Sequence, residues 1–460
     1  MEIARQLGPR DSGDAADTTL MNVPVPIIKG WCPGALRPMP SGDGLIVRLK
    51  LPPGVVDTAL AQQIAQWSHQ WGNGVIELSA RANLQLRGVS HASLGPLQSA
   101  LSQAHLLDHH PQAEAVRNIT LSPLSDRDPD AILNLHQVAQ DLDHVLRTDT
   151  RLHSLPGKFG FAIDASGAFA PGAADITFVA CRTDHGPTFA IRLAEEPAVQ
   201  FGPCHPDKLI GSAVSLALAF LSLSSPQAAA SRPPDPFQQP VAMRRMRDLV
   251  AQAEAATVAA AAGLSPFMDA IISAQRSVNC LGPRAIGTTA FLGLGLPFGQ
   301  MQATDFTALL QAATAQGARD LRLTPYRAIF IPLPSSDAAQ RLTEHPAARP
   351  FILNAADPRR RVAACPGAPA CLHASTPVRL DAAKLASALA AVSGPAILAH
   401  VSGCEKGCAH PTAAPITLTA RDGYYDLVRN GTASAQPVLR RLTLAQAIAT
   451  VTATAESPVQ

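Results

Sequence analysis

Charge is what this sequence has least of. Of its 460 residues only 16% are Asp, Glu, Lys or Arg, and the net charge is +2; globular chains usually carry about 25% charged residues. A nearly neutral chain without a basic stripe is not built to follow a phosphate backbone, so no nucleic-acid partner is expected. The opening stretch MEIARQLGPRDSGDAADTTL has no apolar segment, so no secretory signal is expected. The longest apolar run, LIGSAVSLALAFLSL (Leu209–Leu223), is too short to be expected in a bilayer and reads as a buried helix. FLGLGLPFGQ contains Gly-x-Gly but lacks the third glycine of a dinucleotide fingerprint, which excludes a nicotinamide site there. The expected setting is the cytoplasm, where thiols stay reduced and paired cysteines point first to a metal or to redox chemistry.

What is present is a globular composition, 47% apolar, in a chain long enough for two to four cores. A Pro/Ser-rich stretch, Ser224–Pro240, divides it almost in half, and the halves read alike. LIVRLKLPPGVVDTALAQQIAQWSHQWGNGVIELSARANLQLRGV reads as strand, Leu-Pro turn, amphipathic helix, strand, Arg-bearing turn and strand. AFLGLGLPFGQMQATDFTALLQAATAQGARDLRLTPYRAIFIPL repeats that order. Pro52 and Arg81 are 29 positions apart, Pro297 and Arg327 are 30. Later in each half, Ala174–Leu193 and Ala414–Gly431 both read as hairpins followed by a helical tail. A duplicated, pseudo-twofold α+β body is therefore expected, with a site in the cleft between halves.

One half differs from the other in its cysteines. ACPGAPACLHAS and HVSGCEKGCAHP place Cys365, Cys371, Cys404 and Cys408 at C-x5-C and C-x3-C, with 32 residues between the pairs. Pro366, Gly367 and Pro369 forbid a regular helix in the first stretch. A glycine before each cysteine of the second lets the backbone wrap closely round a bulky object. A helix and a strand between the pairs would bring the two loops together. Structural zinc knuckles prefer shorter spacings, a four-thiolate iron–sulfur cubane tolerates this one, and four buried cysteines remain the plain alternative. The scattered Cys32, Cys181, Cys204 and Cys280 read as ordinary buried residues.

The Cys-x5-Cys and Ser-Gly-Cys-x3-Cys loops in the second of two repeats resemble the siroheme-dependent sulfite and nitrite reductases and their relatives, from about Val23 to Thr452. The resemblance implies a duplicated nitrite/sulfite-reductase-like fold: ferredoxin-like half-domains at 20–110 and 241–345, and α/β cluster- or tetrapyrrole-binding domains at 111–223 and 346–455, joined by the 224–240 linker. It implies that Cys365, Cys371, Cys404 and Cys408 hold one [4Fe-4S] cluster, and that basic residues at the repeat's turns grip an anionic tetrapyrrole. Arginine suits carboxylates because it meets them bidentately. Arg48, Lys50, Arg81, Arg87, Arg117 and Arg327 are the expected tetrapyrrole contacts, Arg322 lies among the candidate turn residues, and Lys158 in LPGKFGFAI is the expected catalytic residue.

LPGKFGFAI also departs from the family. Reductases of small oxyanions carry polar side chains where this chain has Gly157 and Gly160. Reducing sulfite or nitrite needs several convergent proton donors, so their loss weakens a siroheme reductase reading, in which Cys408 would also bridge to the haem iron. The closer resemblance is to an oxygen-dependent relative in cobalamin biosynthesis. That relative implies precorrin-3A and O2 as substrates, an external electron donor or reductase, and a mononuclear non-haem iron. His373 and His410 flank the cluster loops, but no iron ligands are assigned. A non-catalytic electron carrier is the remaining alternative.

Overall fold

Alternation of apolar and polar residues builds four five-stranded sheets; on Gly44–Arg48, for example, Leu45 and Val47 point inward. The computed structural model describes residues 31–194, 200–224, 243–265, 280–392 and 396–455. The Pro/Ser-rich stretch, apart from Ser224, and the first residues of the 20–110 segment lie outside them.

The first sheet runs Met39–Ser41, Gly44–Arg48, Leu84–Val89, Val75–Leu78 and then Gln300–Gln302. The third runs Gly282–Ile286, Thr289–Gly295, Ala328–Leu333, Asp320–Leu323 and then Val56–Asp57. Each thus ends on a strand from the other half: Met301 pairs with Ile76, and Val56 with Leu321. Both exchanged strands follow the repeat's Leu-Pro turn, at Pro52 and Pro297. Two helices complete the exchange. Thr58–Trp71, capped by the Asp57 carboxylate, buries Ala61, Ile64, Ala65 and Trp67. Ala303–Ala315 buries Phe306, Leu309, Leu310 and Ala313. This i, i+3, i+4 spacing gives each helix one apolar stripe, and the two stripes share a single core drawn from both halves.

The second and fourth sheets repeat one topology. Ile119–Leu121, Phe161–Asp164 and Ile176–Thr183 are parallel neighbours, and Gly186–Leu193 and Gln200–Cys204 add antiparallel. Val362–Ala364, Ala399–Ser402 and Ala414–Arg421 are parallel, and Tyr424–Gly431 and Leu439–Leu442 add antiparallel. The two hairpins expected from the sequence are the third and fourth strands of these sheets. Helix Leu209–Leu223 packs Leu209, Ala213, Leu216 and Phe220 into the second sheet's core. Together with the turn Pro206–Lys208 it is long and apolar enough, by length and composition, to cross a membrane. The helix itself has 15 residues, and it packs one face into the second sheet's core.

Candidate functional site

Both cysteine loops leave the fourth sheet at the carboxyl ends of adjacent parallel strands, Val362–Ala364 and Ala399–Ser402. Open α/β sheets bind their ligands at such ends, because consecutive loops there converge. Backbone bonds fold the first loop on itself: Ala368 N donates to Thr376 O (2.8 Å) and Cys371 N to Gly367 O (2.7 Å). A Cβ on Gly367, whose φ is +73°, would lie 2.5 Å from Val378 N, so only glycine fits. The second loop reaches across: Gly403 N donates to Cys365 Sγ (3.1 Å), and Ser402 Oγ to Cys404 O (2.7 Å).

All eight cysteines are free. Cys365 lies within electrostatic reach of Cys371 and Cys408, and Cys408 of Cys404 and Cys371. Burial pushes the Cys365 and Cys408 thiols up. Among the described residues, no three His, Cys, Asp or Glu side chains are gathered as round a single metal ion. Four thiols on two loops that leave adjacent strands make up the donor set of a cubane, and the amide on Cys365 Sγ suits a thiolate acceptor. The donor set therefore fits a [4Fe-4S] cluster better than zinc.

The basic residues divide into two groups. Lys50 is buried, 4% exposed, and its ammonium donates to Asn118 Oδ1 (2.6 Å) and Arg117 O (3.0 Å). Burial, followed by the charges of Arg48 and Arg117, lowers it to about 7. Arg48 donates to the neutral Gln85 amide (2.8 and 2.6 Å) and lies against Cys32, with Glu77 and Glu114 nearby but not in ion-pair contact. Arg81 donates to the carbonyl of Lys158 (3.0 Å) and also lies near Cys32 and Arg48. Burial lowers the pKa of both arginines. Arg48, Lys50 and Arg81 thus form a patch of cations with no ion-pair partner among the described residues, which is the electrostatic requirement of an anion site. Lys158 is exposed at its rim. Arg327 is half-buried near Arg379 and Glu77; its carbonyl accepts from Leu296 N (2.9 Å), while its guanidinium has no hydrogen bond among the described residues.

Two expected contacts, Arg117 and Arg87, and the candidate turn residue Arg322 are engaged by carboxylates. Arg117 is held by Asp143 (2.8 Å on both Nε and Nη2) and Asp108 (2.6 Å). Arg322 is paired with Asp126 (2.8 Å) and Asp320 (2.9 Å). Arg87, 2% exposed, is locked by Asp43 (2.8 Å) and Glu77 (3.3 Å). A guanidinium whose donors already face carboxylates has little left for a ligand, so the ion pairs favour a framework role for these three over tetrapyrrole binding.

Sequence reasoning passed over the groups that position this patch. Asn118 holds Lys50 and also donates to the carbonyls of Gly157 (3.2 Å) and Phe159 (3.0 Å), tying the Lys158 turn to the patch. The Glu114 carboxylate accepts from Ala35 N (2.5 Å) and Leu36 N (3.0 Å), fixing the segment that carries Cys32. The only signal for either was adjacency to Arg117. Gly157 has just one foreign atom, Cys32 N at 4.0 Å, near its missing Cβ, leaving open space there. His373 is exposed, while His410 faces the fully buried His400 with ring centroids 5.9 Å apart. Both His400 ring nitrogens lack a hydrogen-bond partner. Among the described residues, no carboxylate completes a metal-binding set around this pair.

Residues 37–104 match the nitrite/sulfite reductase ferredoxin-like half domain. The chain is 29% identical to a precorrin-3B synthase from Sinorhizobium sp over 432 residues, covering 93% of this chain and 87% of that one. It is 25% identical to the ferredoxin–nitrite reductase of Synechococcus elongatus, covering 83% and 77%. The NirA protein of Mycobacterium tuberculosis shares the fold, with a TM-score of 0.67 at 17% identity, covering 87% of this chain and 78% of that one. The similarity thus extends over most of the chain, which has the duplicated fold seen in NirA and is an oxidoreductase.

Proposed function

We propose that the protein is a precorrin-3B synthase, an oxygen-dependent monooxygenase of aerobic cobalamin biosynthesis. Its substrate, precorrin-3A, is a metal-free tetrapyrrole. One atom of O2 hydroxylates a meso carbon and a ring acetate closes a lactone ahead of ring contraction. Cys365, Cys371, Cys404 and Cys408 would hold a [4Fe-4S] cluster, which when bound supplies single electrons received from an external donor or reductase. A reducing cytoplasm suits a chain whose eight cysteines are all free.

The chain's own residues bind and orient the substrate. Arg48, Lys50 and Arg81 present cations to its carboxylates, with Arg327 extending the set from the second half. Lys158, exposed and tied to Arg81 through its carbonyl, is placed to hold or donate a proton at the rim. The observation that carries the proposal is this unpaired basic patch beside Gly157 and Gly160, where an oxyanion reductase would need further proton donors.

The test is anaerobic purification, followed by an absorbance spectrum, acid–acetone extraction and an iron and sulfide count, then turnover with precorrin-3A and O2. Iron–sulfur absorbance without extractable haem, and an oxygen-dependent product, are expected. A sharp Soret band with extractable siroheme and no oxygen-dependent product would instead make this a sulfite or nitrite reductase.

A further inference from the structure

One carbonyl in the first cysteine loop receives three donors from the opposite half of the molecule. Ala370 O accepts from Arg87 Nη2 (2.8 Å), from Ser41 Oγ and from Gly42 N (3.3 Å). It is the carbonyl of the peptide that leads into Cys371, so fixing it orients the plane containing Cys371 N. That N–H is fixed from the other side by Gly367 O (2.7 Å). That peptide is thereby held at both its oxygen and its N–H, and on the far side of the residue Cys371 O accepts from Ala374 N (3.1 Å).

The clamp is itself braced. Asp43 takes Arg87 Nε (2.9 Å) and Nη2 (2.8 Å), and Ser41 Oγ accepts from Nη2 (2.9 Å). Glu77 takes Arg87 Nη1 (3.3 Å) and, with its other oxygen, Arg379 Nη2 (2.6 Å). Burial pushes the Glu77 carboxyl up, but Arg379 and Arg87 outweigh it and hold it low, so the link between them stays ionic. Arg379 lies in the helix that follows the cysteine loop, Val378–Ala388. The Asp43–Arg87–Glu77–Arg379 chain therefore grips that loop both just before Cys371 and just beyond its end. Contact at Gly42 is close enough that a Cβ there would lie 2.1 Å from Pro369 O.

We infer that Arg87 is a positioning residue for Cys371: from the first half it holds the loop of the second half in the geometry that accepts the cluster. The inference rests on the reading of the four cysteines as cluster ligands. Arginine is required because one planar fork must meet Asp43 twice and still reach Ala370 O, which a lysine ammonium cannot do.

Wild type, Arg87→Lys and Ser41→Ala should be assembled anaerobically. Iron and sulfide per chain, bleaching in air, the EPR spectrum and reduction potential of the reduced cluster, and thermal unfolding of the cluster-free proteins should then be compared. Arg87→Lys is expected to bleach severalfold faster with an altered EPR spectrum and potential, and Ser41→Ala to do the same more weakly, both while unfolding near wild type. Wild-type bleaching, spectrum and potential in both variants would overturn the inference and leave the cluster reading standing. A wild type that assembles no cluster would overturn both together. If Arg87→Lys fails to fold, Ser41→Ala decides alone, since it keeps every ion pair.

Discussion

The second and fourth sheets share one topology, and they differ instructively at matched positions just beyond their first two strands. Ser122 is the first residue after strand Ile119–Leu121, and its Oγ accepts from Ala165 N (3.0 Å), the first residue after Phe161–Asp164. Cys365 is the first residue after Val362–Ala364, and its Sγ accepts from Gly403 N (3.1 Å), the first residue after Ala399–Ser402. In the second sheet the bond closes on itself, because Ser122 Oγ also donates to Asp164 Oδ1 (3.0 Å). In the fourth, the residue matching Asp164 is Ser402, which turns instead to Cys404 O (2.7 Å). One copy satisfies its polar groups internally, and the other places a buried thiol at the start of its first loop, within electrostatic reach of Cys371 and Cys408. The scaffold is present twice, and only the second copy carries the four clustered thiols that the proposed cluster would need.

The sharpest way to break this comparison is to remove a donor. Cys404→Ala should abolish cluster content and activity together, because three thiolates and water do not retain a cubane in air. Iron and sulfide analysis checks it, and full content with turnover would refute the ligand assignment.

A smaller effect is expected at the basic patch. Arg81→Ala should weaken tetrapyrrole binding by about 1.5–3 kcal/mol, the contribution of a hydrogen bond to a charged group, which is roughly a ten- to hundredfold rise in Kd. Fluorescence or absorbance titration reads it, and an unchanged Kd removes Arg81 from the site.

Lys50 gives the patch a pH dependence. Free, it titrates at about 7 because burial and then Arg48 and Arg117 disfavour its charge; a bound carboxylate favours the charge and draws the pKa back up. Affinity is therefore full below pH 7 and falls as pH rises above it, since binding must then take up a proton. Lys50→Met should flatten that fall. An equally steep decline in the variant would assign it to another group.

The smallest change sharpens the comparison rather than breaking it. Ser122→Cys places a thiol at the position matching Cys365, yet no second or third thiol stands at the matching loop positions. Iron content should stay at the wild-type value, and extra iron per chain would show that the scaffold alone suffices.

Much of this was legible in the sequence. Repeat spacing, the Leu-Pro turns and hairpin alternation are local patterns, and they marked out the duplicated strand and helix order. The cysteine loops were readable because Pro and Gly restrict the backbone locally. Ionic partners were not. Arg81 and Arg87 stand six residues apart around one strand and look alike, yet Arg81 remains without a carboxylate while Arg87 meets Asp43 and Glu77. Arg117, beside Asn118 in the same dipeptide, is neutralised by Asp108 and Asp143.

By itself the sequence determined the repeat, the elements and the four thiols, since these follow from periodicity and from the chemistry of single residues. Only the tertiary structure decided which cations stay free, that each half lends a strand to the other's sheet, and that the first half clamps Ala370 beside Cys371. Those depend on residues tens to hundreds of positions apart in the chain. Charge pairing is governed by distance in space, and no local pattern encodes that distance.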